Sequence, residues 1–247
     1  MAIENAILLL GKKLSHSFSK LYFDKIFAQQ SYKDWSYNIF ELQHIDEFLS
    51  LKNQQYLGFN VTIPYKTAII PYLDNCSNEA RCIGAVNTIK RISINHKNLF
   101  YGYNTDAPAF DLTIKPLLHR VHKALIIGNG GVAKAVQFVL EKNNIVYQTI
   151  ARNTQLSLEN FNNDLLKTHQ LIINCTPVGM YPNQNECINF PFHLLNSKHI
   201  LYDMVYNPSK TLFLASGDKQ GCTTINGLKM LYTQAELALK IWENKLI

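Results

Sequence analysis

The chain has 247 residues, of which 47% are hydrophobic and 17% charged, with a formal net charge of +6. That is the balance of a folded chain, and the length suits two modest domains rather than one core or a disordered or repetitive chain. The basic residues are scattered, which argues against a nucleic-acid stripe, while a mild positive excess suits a small acidic substrate or a phosphorylated cofactor.

The first element is "AILLLG", residues 6–11, a short apolar run that reads as a strand and not as a signal peptide. "KLYFDKIFAQQ" follows with Tyr22, Phe23, Ile26 and Phe27 at helical spacing. "SYNIFEL" predicts a strand, "HIDEFLSLKN" a helix, and "YLGFNVTIP" a further strand. "NTIKRISINHKNLFYGYN" predicts a hairpin turning near Asn95–Asn98. Strands alternating with helices predict an α/β domain with a largely parallel sheet.

A second unit begins after Tyr103. "APAFDLTIKPLL" predicts a helix, and "KALIIGNGGVAKAVQFVLEKNNIVYQTIAR" reads as strand, glycine turn, helix and strand, one βαβ crossover. Strands follow at "QLIINCT", "HILYDMV" and "CTTIN", before a long amphipathic helix, "LKMLYTQAELALKIWENK". The expected division is a first domain over 1–106, a second over 107–226, and a last segment, 227–247, packing back on the first. Two such domains leave a cleft, where ligands are expected.

Gly128, Gly130 and Ala133 satisfy G-x-G-x-x-A between a strand and a helix, the context in which this turn holds a pyrophosphate at a helix N-terminus. At the end of the next strand, where NAD binders carry Asp or Glu, stands Arg152, 24 positions after Gly128. A guanidinium pairs with a 2′-phosphate that a carboxylate would repel, so the reading is NADP(H).

The first domain carries isolated polar motifs. Ser17 and Ser19 precede a helix, where Ser19 is a plausible N-cap and both hydroxyls could hold a carboxylate. Lys66 ends "NVTIPYK", whose alternation places Asn60, Thr62 and Lys66 on one side and Val61, Ile63 and Tyr65 on the other. Asn87 lies in "GAVNT", where it could serve a turn. Asp106 stands two residues before Pro108 at a helix start, a favoured N-cap position. Gln234 shares a face with Leu231, Ala238 and Ile241, and an amide on an apolar stripe needs a partner, which a ligand could supply.

Five dispersed cysteines without a CxxC pair, and eight histidines without HExxH, predict a cytoplasmic protein without a metal. No apolar run approaches membrane-spanning length.

Taken in order, "HSFS", "GFNVTIPYK", "GAVNT", "GYNTD", "GNGGVAK", "INCTPVGMYP", "YDMVYNP" and "NGLKMLYTQA" resemble the shikimate dehydrogenase family nearly end to end. The resemblance implies an N-terminal substrate domain, a C-terminal NADP-binding Rossmann domain, and reduction of 3-dehydroshikimate with NADPH in aromatic amino-acid biosynthesis. Carried over by position, Lys66 and Asp106 match the catalytic pair. Ser17 and Ser19, with Tyr206 nearby, match the binders of the substrate carboxylate, and Thr62, Asn87 and Gln234 those around its ring hydroxyls. Gly128, Gly130, Gly131, Ala133 and Thr176 match cofactor contacts, Arg152 the 2′-phosphate contact, and Gly227 the approach to the nicotinamide. The chain departs from the family pattern at Lys13 and Lys20, where prolines are usual, and at Ala107 and Ala109, where glycines are usual. After Arg152 it also lacks the second basic residue that usually follows. The resemblance implies a monomer or homodimer. The alternatives are a quinate/shikimate dehydrogenase using NAD, a ligand-sensing relative without turnover, and a related dehydrogenase acting on a folate.

Overall fold

The computed structural model describes residues 5–14, 18–95, 97–151 and 162–245. The chain divides into two compact units, Met1–Asp106 with Tyr232–Ile247, and Ala107–Leu231.

The first unit holds strands β1 (Asn5–Gly11), β2 (Trp35–Glu41), β3 (Tyr56–Val61), β4 (Asn75–Cys76), β5 (Thr88–Ile94) and β6 (Lys97–Tyr103) in one sheet of order β2-β1-β3-β5-β6-β4. Helices α1 (Phe18–Phe27), α2 (Phe48–Lys52) and α3 (Asn78–Ile83) lie between them in sequence. The run "AILLL" is apolar throughout because β1 is buried on both faces, as a central strand must be. Leu8 and Leu10 join Phe59, Val61 and Ile89 under Phe48 and Leu51 of α2. Ile7 and Leu9 face Phe23 and Phe27 of α1, with Ala235, Ala238 and Trp242 of the last helix, α7 (Leu228–Trp242).

This sheet is mixed. β2, β1 and β3 run parallel, but β5 pairs antiparallel with β3 and with β6. The hairpin of β5 and β6 is the expected one, whereas the antiparallel pairing of β5 with β3 departs from the expected parallel sheet, since alternation reveals a strand but not its direction. That hairpin turns within the expected stretch: Ile94 pairs with Lys97, and Asn95 takes a left-handed φ of 49°. The strand expected to run through Pro64 ends at Val61, and Ile63 is 62% exposed, so the alternation does not carry past the strand. Ser19 lies within the first turn of α1 and not at its cap.

The second unit holds β7 (Lys123–Ile127), β8 (Val146–Ile150), β9 (Leu171–Asn174), β10 (Ile200–Asp203) and β11 (Thr223–Asn226), all parallel in the order β11-β10-β9-β7-β8. Its helices are α4 (Asp106–Ile114), α5 (Gly131–Lys142) and α6 (Leu212–Lys219). The helix expected over 107–118 becomes a 3₁₀ segment from Lys115, because Pro116 cannot donate to the α-helical ladder. From β7 the chain passes to β8 on one side and to β9 on the other, so the strand order reverses between β7 and β9. Open parallel sheets bind ligands at the carboxyl ends beside such a reversal.

Candidate functional site

In the first unit three separate motifs are drawn together by backbone pairing. Asn87 N–H donates to Tyr103 O at 3.1 Å, Asn87 O accepts from Val61 N–H at 2.8 Å, and Val86 N–H donates to Lys66 O at 2.7 Å. The segment after β3 is anchored again by the Tyr65 hydroxyl, buried against the carbonyl oxygens of Leu42 at 2.8 Å and Gln43 at 2.9 Å. Lys66 is thereby fixed at both its own carbonyl and its neighbour's side chain. Its Nζ meets Asp106 Oδ2 at 2.7 Å, with the two side chains 15% and 7% exposed. This is a charge-assisted hydrogen bond largely shielded from bulk water.

Asp106 is the first residue of α4, with Pro108 in the first turn, so its carboxylate serves Lys66 at the helix start. Its approach is held by Asn87, a clamp that sequence reasoning read only as a turn or a ligand contact. Asn87 Oδ1 accepts from Thr105 N–H at 2.8 Å, and Asn87 Nδ2 donates to Thr105 Oγ1 at 2.9 Å. Asn104 Nδ2 donates to Ala85 O at 2.9 Å. The buried chain extends through Thr88 to Asn60, whose Oδ1 accepts from the Tyr37 hydroxyl at 2.8 Å. Each of these buried polar groups has its partner, the condition for a rigid polar network. Thr105 does not stand out in the sequence, and Asn60 is legible there only as a neighbour of Thr62 and Lys66 on the strand, because the roles of both depend on their neighbours in space.

Thr62 follows β3 and is half-buried; its N–H donates to Leu10 O at 2.8 Å. Gln234 is half-buried on α7 beside the fully buried Ala235 and Ala238. Ser19 is half-buried in α1, and Ser17 lies outside the described residues.

In the second unit the glycine turn sits where β7 leaves the sheet. Gly128 has φ +106°, open to glycine, and a Cβ there would stand 3.1 Å from Thr176 Cγ2 and 3.3 Å from Cys175 O. The loops after β7 and β9 therefore touch beside the reversal of strand order. Gly130 caps α5 without a side-chain bond, and a Cβ on it would meet nothing within 4 Å. Backbone donors at the positive end of a helix, left without a side-chain cap beside open space, suit an anion. Gly131 opens α5, and Ala133 is fully buried beneath it, allowing close helix–sheet packing. Gly227 follows β11 and is so close to the preceding loop that a Cβ would lie 2.3 Å from Met204 O. Tyr206 follows β10 and is half-buried, and burial pushes its hydroxyl up from the ordinary range. Arg152 lies outside the described residues. Among the described residues no cluster of His, Cys, Asp and Glu could hold a metal ion, and no helix is long and apolar enough to cross a membrane.

The family model described as "Shikimate dehydrogenase substrate binding domain" matches residues 9–89. A protein of Desulforamulus reducens named shikimate dehydrogenase (NADP(+)) is 33% identical to this chain, over 95% of this chain and 88% of its own. The crystal structure of shikimate dehydrogenase from Aquifex aeolicus is similar with a TM-score of 0.84 and 28% identity, covering 99% of this chain and 94% of that one. A Thermus thermophilus enzyme, shikimate 5-dehydrogenase in complex with NADP(H) and shikimate, is similar with a TM-score of 0.82 and 27% identity, covering 97% of this chain and 94% of that one.

Proposed function

Because the chain belongs to the shikimate dehydrogenase family, we propose that it reduces 3-dehydroshikimate reversibly to shikimate with NADPH, in the pathway to chorismate and the aromatic amino acids. The observation that carries the chemistry is the shielded Lys66–Asp106 pair at 2.7 Å.

The residues of the second unit fit a dinucleotide. The positive-φ Gly128, the open space over Gly130 and the uncapped start of α5 suit a pyrophosphate approaching backbone N–H groups. Gly131, Ala133 and Thr176 border that turn, Arg152 would pair with the 2′-phosphate, and Gly227 would let the nicotinamide approach backbone. When bound, NADPH supplies the hydride for the carbonyl carbon.

The protein's own task is the proton. Lys66 donates it to the carbonyl oxygen as negative charge develops there, and takes it back in the reverse direction. Asp106 orients the ammonium and accepts a hydrogen bond from the adjacent hydroxyl. Asn87 braces Asp106 through Thr105 and, with Thr62 and Gln234, lies among the residues for the ring hydroxyls. Thr62 and Gln234 take the ring hydroxyls, and Ser17, Ser19 and Tyr206 the carboxylate. The protein works as a cytoplasmic monomer or homodimer.

Absorbance at 340 nm tests this reading, with shikimate or quinate as substrate and NADP or NAD as acceptor. Shikimate with NADP should give the highest kcat/KM of the four pairs. Absence of turnover in all four would refute the enzyme, and a faster reaction of quinate with NAD would transfer it to the alternative dehydrogenase class.

A further inference from the structure

β9 and β10 each end in a polar residue, and the parallel register sets Asn174 beside Asp203. Both side chains are fully buried. Asp203 Oδ1 accepts from Asn174 Nδ2 at 2.9 Å and from Val205 N–H at 3.0 Å, and Oδ2 accepts from Thr211 Oγ1 at 2.5 Å. All three donors are neutral, and burial pushes this carboxyl up to about 6 although each of them pulls it down. Filling the space would have been easier with an apolar side chain.

What the carboxyl joins gives it a purpose. Asn174 Oδ1 accepts from Thr176 N–H at 2.9 Å and from Thr176 Oγ1 at 2.6 Å, and Thr176 in turn lies against Gly128. On the other side, Val205 O accepts from Gly227 N–H at 3.2 Å, and Gly227 is pressed against Met204 O. The Thr211 hydroxyl that meets Asp203 also caps α6 by accepting from Leu214 N–H at 3.3 Å. One carboxyl thus fixes the exits of two neighbouring strands, and through them the glycine turn and the start of α7.

We infer that Asp203 is a positioning residue for the cofactor, setting Thr176 through Asn174 and the bed of Gly227 through Val205. The inference rests on the reading that Thr176 and Gly227 meet NADP(H).

Fluorescence titration with NADPH tests it on the full chain, below the melting temperature of each variant, with melting recorded alongside. Asp203→Ala and Asn174→Ala should each weaken NADPH binding about ten-fold, the effect of one lost buried hydrogen bond. Asp203→Asn should stay within about three-fold of the parent, since its Oδ1 still accepts and its Nδ2 donates to Thr211. Unchanged affinity in Asn174→Ala, or Asp203→Asn as weak as Asp203→Ala, overturns the inference. If Asp203→Ala does not fold, Asn174→Ala and Asp203→Asn decide alone. Thr176→Ala separates the two levels. Unchanged affinity there removes Thr176 from the cofactor site and the inference with it. Weakened affinity there, with Asn174→Ala unaffected, removes only the role of Asp203.

Discussion

Asp203 also ties stability to pH. Its native carboxyl sits at about 6 against an ordinary value of 3.8. Between those values the native state binds more protons than the unfolded chain, so stability falls as pH rises through this window and stays low above it. The change is on the order of 2–3 kcal/mol. Asp203→Asn is neutral at every pH, so its melting temperature should rise relative to the parent between pH 4 and pH 7. Parallel melting curves for the two proteins would show that Asp203 does not titrate in this range. Lys66 presents the opposite case in legibility. Its place after "NVTIP" was readable, and so was its partner Asp106, because both stand in short motifs of unusual composition. The bracing by Asn87 and Thr105 was not readable, since it depends on Tyr103 and Val61 flanking Asn87 in the sheet. The same holds for Asp203 and Asn174, which lie 29 positions apart and meet only through register.

At the scale of elements, the βαβ turn makes the sharpest prediction. Gly130 has φ −75° and open space where a Cβ would stand, so Gly130→Ala should fold and melt like the parent. The added methyl would occupy the space the pyrophosphate needs, and the KM for NADPH should rise about ten-fold or more, at least 1.4 kcal/mol of lost binding. An unchanged KM would place the cofactor elsewhere. Strands, the glycine turn and α7 were legible because their patterns are strong and local. Helix α3 is too short, at six residues, to show a periodic pattern, although both its stops are present in the sequence. Ser77 accepts from Ala80 N–H at 3.1 Å as the N-cap, and Gly84 closes the helix with φ 67°. The return of α7 to the first unit is anticipated from the sequence, but the contacts that seat it are not. What fastens it is Trp242, whose Nε1 donates to Ile89 O at 3.0 Å, and the buried Lys90, which donates to Ile241 O and Asn244 Oδ1 near the negative end of the helix.

For the molecule as a whole, the two units carry different halves of the chemistry. In the proposed reading the first supplies the proton-handling pair, Lys66 and Asp106, with the polar surroundings of the substrate ring, and the second supplies the dinucleotide cradle. Alternation of strands and helices is enough to anticipate both α/β units, and the hairpin of β5 and β6 is legible in its own segment, while the antiparallel pairing of β5 with β3 is not, because periodicity does not encode direction. The division of labour has a direct consequence. Removing the Lys66 ammonium should slow the chemical step without disturbing the cofactor. The decisive measurement is therefore kcat for Lys66→Ala in the shikimate–NADP reaction, taken with the NADPH dissociation constant of the same protein. The kcat should fall about 10²- to 10⁴-fold, the range for a general acid–base group, with NADPH affinity unchanged. A near-normal kcat with only the KM for shikimate raised would contradict it, and would leave Lys66 a binding residue.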